Sequence, residues 1–160
     1  MKRIVIYIIL LAVLWLVPVK GSDVGKLQPV EVVFIYRDQG QIIMETDTKD
    51  KGVGATVEEA LANLKDTTPG IIYLDTAEYL LLAEDTTDVA EQLRRILKKT
   101  VQICTADRGI DLSLVARFLP AHSKLPQFKQ WQQGEVLPHL TKYQNRLKIS
   151  RKSLDKGGFL

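Results

Sequence analysis

The stretch Gly52-Val53-Gly54-Ala55-Thr56 is the part of the sequence best suited to holding a small anion. Glycines let backbone amides approach a ligand closely, and Thr56 stands where a helix is predicted to begin, so amides near it would point at bound negative charge. The stretch is not a Walker loop, because Ala55 occupies the place of the lysine, and it lacks the third glycine of the dinucleotide fingerprint. Gly52, Gly54 and Thr56 are therefore candidate ligand-binding residues, with a flexible loop and a helix cap as the alternative.

A run of acidic side chains follows at Asp75, Glu78, Glu84, Asp85 and Asp88. Carboxylates grouped in this way can bind a cation or a basic partner surface, but on turns and helix starts they are usually a solvated edge. We take Asp75 and Glu78 as candidate partner-binding residues and leave the solvated edge open as the alternative.

Residues that could catalyse a reaction or bind a metal are scattered. His122 and His139 are isolated, and no histidine or cysteine pair has a zinc-ligand spacing. Cys104 is the only cysteine and lies in an apolar, strand-like run, which predicts a buried structural thiol. No nucleophile elbow is present. We predict no catalytic residue, no metal and no cofactor, although a serine–histidine site assembled through space stays an alternative.

The first 21 residues have the pattern of a targeting segment. Lys2 and Arg3 precede an apolar run over residues 4–17, and small residues around Gly21 offer a cleavage point. An apolar helix of this length spans about 21 Å, short of the ~30 Å hydrocarbon core, which favours a cleaved signal peptide. An uncleaved anchor, held at the interface by Trp15 and Lys20, and a buried core strand or helix are the alternatives. We expect an exported protein, extracytoplasmic or associated with the cell membrane.

The charge of the exported part gives no reason to expect nucleic-acid binding. Lys2, Arg3 and Lys20 belong to the leader, which leaves 19 basic residues against 19 acidic ones in the rest of the chain. Basic residues accumulate from Lys142 onward, and the tail over residues 151–160 could touch an anionic lipid surface. A solvated tail is the alternative interpretation.

Hydrophobic periodicity predicts one α/β domain over residues 22–150. A Thr56–Glu59 capping box starts a helix that runs to about Asp66, and Asp111 can cap another that ends before Pro120. A third helix is predicted over 87–99, and residues 47–54 form an exposed loop. Strands are predicted over 30–37, 41–46, 71–74, 79–83, 101–105, 136–143 and 146–149, where 71–74 and 79–83 are either one kinked strand or two. A turn signal at residues 38–40 joins the first two strands into a hairpin, and Gln144-Asn145 forms the turn of a last hairpin. The fold class is mixed α+β: one mixed sheet with about three packed helices.

Residues 52–64 and 71–85 resemble the N-terminal domain of the Ger(x)C-type spore germinant receptor C-subunit. Thr56, Glu59, Ala60 and Leu64 match the family pattern T-x-x-E-A-x-x-x-L, and residues 23–35 are similar to its first strand region. The family's lipobox cysteine is absent, and its further domains would follow where this chain ends, so the resemblance implies a shortened relative. It implies a membrane-associated binding or assembly role in spore-forming cells, with no catalytic residues.

These observations predict a non-catalytic, exported or membrane-associated module that binds a protein partner in spore germination or sporulation. Two alternatives stay open: an extracytoplasmic anion-binding domain that uses residues 52–56, and a small hydrolase. The predicted partners are the membrane, reached through the leader, and a protein.

Overall fold

The computed structural model describes residues 26–122, 124–144 and 146–151. The predicted leader over residues 1–21, and the tail from residue 152 onward, lie outside the described residues. None of the helices in the described ranges is both long and apolar enough to cross a membrane.

The described chain is a mixed α+β fold, as predicted. Its elements, in chain order, are β1 (Leu27–Pro29), β2 (Val32–Asp38), β3 (Gln41–Thr46), β4 (Lys51–Gly54), α1 (Val57–Thr67), β5 (Ile71–Tyr73), β6 (Tyr79–Leu82), α2 (Ala90–Leu93), β7 (Gln102–Ala106), α3 (Leu112–His122), β8 (Pro138–Tyr143) and β9 (Arg146–Arg151).

Seven of these strands form one sheet with the order β4-β3-β2-β6-β7-β8-β9. β2, β6, β7 and β8 run parallel in the middle; the antiparallel strands β3 and β4 extend the sheet beyond β2, and the antiparallel strand β9 extends it beyond β8. Among the described residues, β4 and β9 are therefore the two edge strands. The structure adds a small parallel sheet of β1 and β5, which the sequence analysis did not predict.

The core lies on both faces of the sheet. β6 is buried along its whole length: Leu80 and Leu82 face α1 and α2, whereas Tyr79 and Leu81 face α3. A parallel strand covered on both faces is a continuous apolar run, and the sequence Tyr-Leu-Leu-Leu has this form.

The turn between β2 and β3 was predicted correctly because its residues favour it. Gln39 and Gly40 have φ values of 49° and 80°, the left-handed backbone that a two-residue hairpin turn requires. The terminal hairpin was also predicted correctly, with Tyr143 paired to Arg146 at its closed end. Asn145 of this predicted turn lies outside the described residues.

Three local predictions were wrong. The end of the predicted loop over 47–54 is strand β4, which the sequence conceals because its two inward-facing positions are glycines. The predicted helix over 87–99 is replaced by a 3₁₀ segment, Glu84–Val89, and the short α2, since the Thr86 hydroxyl donates to the carbonyl oxygens of Ile35 and Ala83. Helix α3 continues through Pro120, because only its last turn is affected by the missing N–H.

The open question about residues 71–83 is settled as two strands. β5 pairs with β1 and β6 lies in the large sheet, and the 3₁₀ turn Leu74–Thr76 lies between them.

Candidate functional site

Gly52 and Gly54, the predicted ligand-binding glycines, lie in β4 directly against helix α1. A Cβ on Gly52 would lie 2.0 Å from the Ala60 carbonyl oxygen, and one on Gly54 would lie 2.4 Å from the Ala60 amide nitrogen. Such distances are far below van der Waals contact, so both positions require glycine for the helix to approach the strand. Close packing thus accounts for the glycines, and anion binding by them stays a prediction.

Thr56 caps helix α1 as the capping-box pattern predicted. Its hydroxyl accepts a hydrogen bond from the Glu59 amide at 3.2 Å, and the Glu59 carboxylate accepts one from the Ala55 amide at 2.8 Å. Two amides that an anion would use at this helix start are therefore bonded to side chains of the chain itself.

The acidic residues 75–88 do not form one cluster. Asp75 and Glu78, the predicted partner-binding residues, are exposed at the amino end of β6. Glu84, Asp85 and Asp88 follow β6 and lie at its carboxyl end. The strand between them is four residues long, which separates the two groups by roughly 13 Å at about 3.3 Å per residue. Partner binding by Asp75 and Glu78 stays a prediction.

Polar side chains converge at the carboxyl ends of the parallel strands, where open α/β sheets usually bind ligands. A crevice of about 320 Å³ opens there between the ends of β6 and β7. It is lined by Ala83, Glu84, Asp85, Ala106, Asp107 and Arg108.

His139 is the buried polar group behind this crevice, with a relative exposure of 8%. Its Nε2 lies 3.1 Å from Asp107 Oδ1 and its Nδ1 lies 3.0 Å from the Thr105 hydroxyl, with Glu84 Oε1 at 3.8 Å from Nδ1. The Thr141 hydroxyl donates to the other Asp107 oxygen at 2.5 Å.

The partners of His139 determine where its proton lies. A carboxylate can only accept hydrogen bonds, so Nε2 carries the proton and donates a hydrogen bond to Asp107. In the neutral ring, Nδ1 then accepts a hydrogen bond from the Thr105 hydroxyl.

An acid–imidazole–hydroxyl series of this kind occurs in nucleophilic enzymes. Here, however, the Thr105 side chain is buried, and its hydroxyl lies 3.3 Å from the Pro138 carbonyl oxygen. We interpret the series as a structural hydrogen-bond network that links β7 and β8.

His139 stands isolated in the sequence, so this group was not predicted. His139 and Asp107 are 32 positions apart and meet only because β7 and β8 pair side by side. No local spacing signals such a contact.

The arginines near the crevice are engaged by carboxylates. Arg108 pairs with Asp85 at 2.6 Å, and Arg37 pairs with Asp88 at 2.6 Å. The hydrogen bond from Arg37 lowers the pKa of Asp88, and the same bond raises the pKa of Arg37. The charges of these two arginines are therefore paired within the chain.

Cys104 is buried in β7, as predicted for a structural thiol. Its burial raises the pKa of the thiol to about 12, because a thiolate would lose its hydration there. The neutral thiol is thus the form present near neutral pH, and it is a poor nucleophile.

A second concave surface, the α3–β9 groove, lies between helix α3 and edge strand β9 and has a volume of about 610 Å³. Its lining residues are Leu114, Phe118, His122, Arg146, Leu147, Lys148 and Ile149. Leu114 is 40% exposed although it is a large apolar residue. The Phe118 and His122 rings stack with centroids 4.5 Å apart. The groove is apolar at its base and basic along β9.

The segment that carries the groove has a strongly positive balance. Residues 112–151 contain seven lysines and arginines and a single carboxylate, Glu135, whereas residues 26–111 contain ten basic and sixteen acidic residues. Residues 26–111 thus carry an excess of acidic side chains, and residues 112–151 carry an excess of basic ones.

No group of histidine, cysteine and carboxylate side chains suited to a metal ion occurs among the described residues. Comparisons of the chain with protein-family models, with curated proteins and with solved structures gave no match.

Proposed function

We propose that this chain is a non-catalytic, exported or membrane-associated module that binds a protein partner in spore germination or sporulation. The observation that carries the proposal is the α3–β9 groove, which combines the exposed Leu114 and the partly exposed Phe118 and Ile149 with a basic rim. Contiguous exposed apolar surface with a polar border is typical of protein-binding sites.

The crevice between the ends of β6 and β7 is a less suitable binding surface than the groove. Its ionic groups are paired within the chain, as Arg108 is with Asp85, and its histidine is bound on both ring nitrogens. The groove, in contrast, leaves Leu114 and Lys148 exposed to a partner.

Crosslinking from a matched pair of positions tests the binding surface. Leu114 in the groove and Val53 on β4, the strand at the other edge of the sheet, are 40% and 39% exposed, so a photoreactive residue at either position has similar access to solvent. In the natural host, we expect a discrete protein adduct from position 114 that is absent from position 53. No adduct from 114, or the same adducts from both positions, would contradict the proposal.

Export and the cellular role have their own tests. The leader supports export, and the family resemblance supports a role in spores. Mass spectrometry of the mature N-terminus with membrane fractionation should find either a start at Ser22 outside the cytoplasm or an intact Met1 in membranes. Intact Met1 in the cytosol would refute export. If the organism that naturally produces this protein forms no spores, the germination role would be refuted.

A further inference from the structure

We propose that the outer edge of β9 accepts an extended acidic segment of a partner protein as an additional strand of the sheet. This inference rests on the proposed function, because it names the kind of partner that the α3–β9 groove takes.

The direction of the β9 backbone is the first observation. The Leu140 carbonyl accepts a hydrogen bond from the Asp107 amide at 3.2 Å, so the main-chain groups of Leu140 face β7. Leu140 is the register partner of Ile149, which makes this a non-hydrogen-bonded pair of the β8–β9 ladder. The N–H and C=O of Ile149 consequently face outward, and those of Leu147, two residues earlier, do the same.

The outward groups of β9 meet no further strand in the described part of the chain, since β9 ends the strand order. An edge with a row of outward N–H and C=O groups is a template for pairing with an extended segment. The ladder of hydrogen bonds would supply affinity without requiring a particular sequence.

The groove beside this edge supplies specificity. Successive side chains of a strand alternate between faces, so every second residue of a segment added to β9 would point toward α3. Leu114 and Phe118 of α3 and Ile149 of β9 offer an apolar surface to those residues.

Charge determines the class of partner. Arg146 and Lys148 are exposed on β9 itself, and residues 136–151 contain no carboxylate. A second copy paired edge to edge would bring these cations together, which is destabilising between neighbouring strands. A segment that alternates acidic and apolar residues matches both the rim and the groove.

Synthetic peptides added to the full chain test the proposal. The probe is an alternating Glu–Val peptide of about eight residues, a typical strand length. One comparison peptide has lysine in place of glutamate, and another is N-methylated at alternate residues so that it cannot donate to a neighbouring strand.

We expect the acidic peptide to bind at least about tenfold more tightly than the other two, and to slow hydrogen exchange at the Leu147 and Ile149 amides. Lys148→Glu should abolish this preference, whereas Lys65→Glu, at an exposed position on α1, should leave it intact. Ile149→Pro removes an outward donor that the β8 ladder does not use, and should weaken binding about tenfold. If that variant does not fold, the N-methylated peptide still decides the point.

Several outcomes would overturn the inference. Equal binding of the acidic and lysine peptides would remove the charge argument, and equal binding of the N-methylated peptide would exclude strand addition. Binding to phosphatidylglycerol vesicles with no peptide binding would identify a lipid surface instead, and dimerisation through β9 would identify a second copy. If strand addition fails while position 114 still crosslinks to a partner, the proposed function stands; if both fail, the proposed function fails too.

Discussion

The two edges of the large sheet are finished in different ways. On β4, the Val53 amide donates to the Asn63 side-chain oxygen at 2.9 Å, and the Lys51 carbonyl accepts from the Thr67 hydroxyl at 3.3 Å. Helix α1 therefore covers that edge with its own side chains. On β9, the corresponding groups face outward beside exposed cations.

The two edges thus show two ways of limiting association through an unpaired strand edge. An unpaired strand edge invites association, and proteins limit it either by covering the edge or by placing charge on it. A covered edge is closed to every partner, whereas a charged edge repels like-charged strands and still admits an oppositely charged one. The second arrangement is suited to recognition.

The largest expected effect concerns the core beneath the open edge. Cys104 lies on the α3 side of β7, and its burial holds the thiol neutral. If the core between α3 and the sheet is well packed, a disulfide reagent should modify Cys104 roughly a thousandfold more slowly in the native chain than in denaturant. Rapid native modification, measured by absorbance, would mean that the groove side opens readily.

The next effect concerns the covered edge. Gly52→Ala places a methyl group against the backbone of α1, so we expect the free energy of unfolding to fall by about 3 kcal/mol in urea titrations. Val53→Ala, at the neighbouring exposed position, should change it by less than about 0.5 kcal/mol. A loss similar to that of the control would show that α1 approaches β4 only loosely.

A smaller effect is expected when a single hydrogen bond to the β4 edge is removed. Asn63→Ala loses a hydrogen bond of about 1 kcal/mol but gains helix propensity, for a net loss of about 0.5 kcal/mol. The uncovered β4 edge should then show concentration-dependent association by light scattering. Asn63→Asp keeps the acceptor and should stay monomeric, so equal association of both variants would refute the edge-cover argument.

The smallest effect is expected on β9. Lys148 is exposed, and Lys148→Glu should change the unfolding free energy by no more than about 0.5 kcal/mol in the same titration. A large loss would mean that the charge supports the fold, which would weaken its assignment to partner recognition.

Predictions from sequence succeeded where the determining residues are neighbours. The Thr56–Glu59 capping box and the turn at Gln39 and Gly40 formed as expected, because the stabilising contacts lie within a few residues. β4 was missed because Gly52 and Gly54 carry no side chain to show a hydrophobic alternation. The His139–Asp107 contact was missed because it depends on the pairing of distant strands.

By itself, the sequence determined the mixed α+β class, the terminal hairpin and the burial of Cys104. Hydrophobic period, turn residues and caps act over short distances, so these features need no knowledge of the whole fold. Only the tertiary structure decided that α1 covers one sheet edge while β9, within the described residues, ends the sheet beside a basic groove. The reason is geometric: whether the amide of Ile149 faces a neighbour or solvent depends on strand order and register, which arise from contacts between distant parts of the chain.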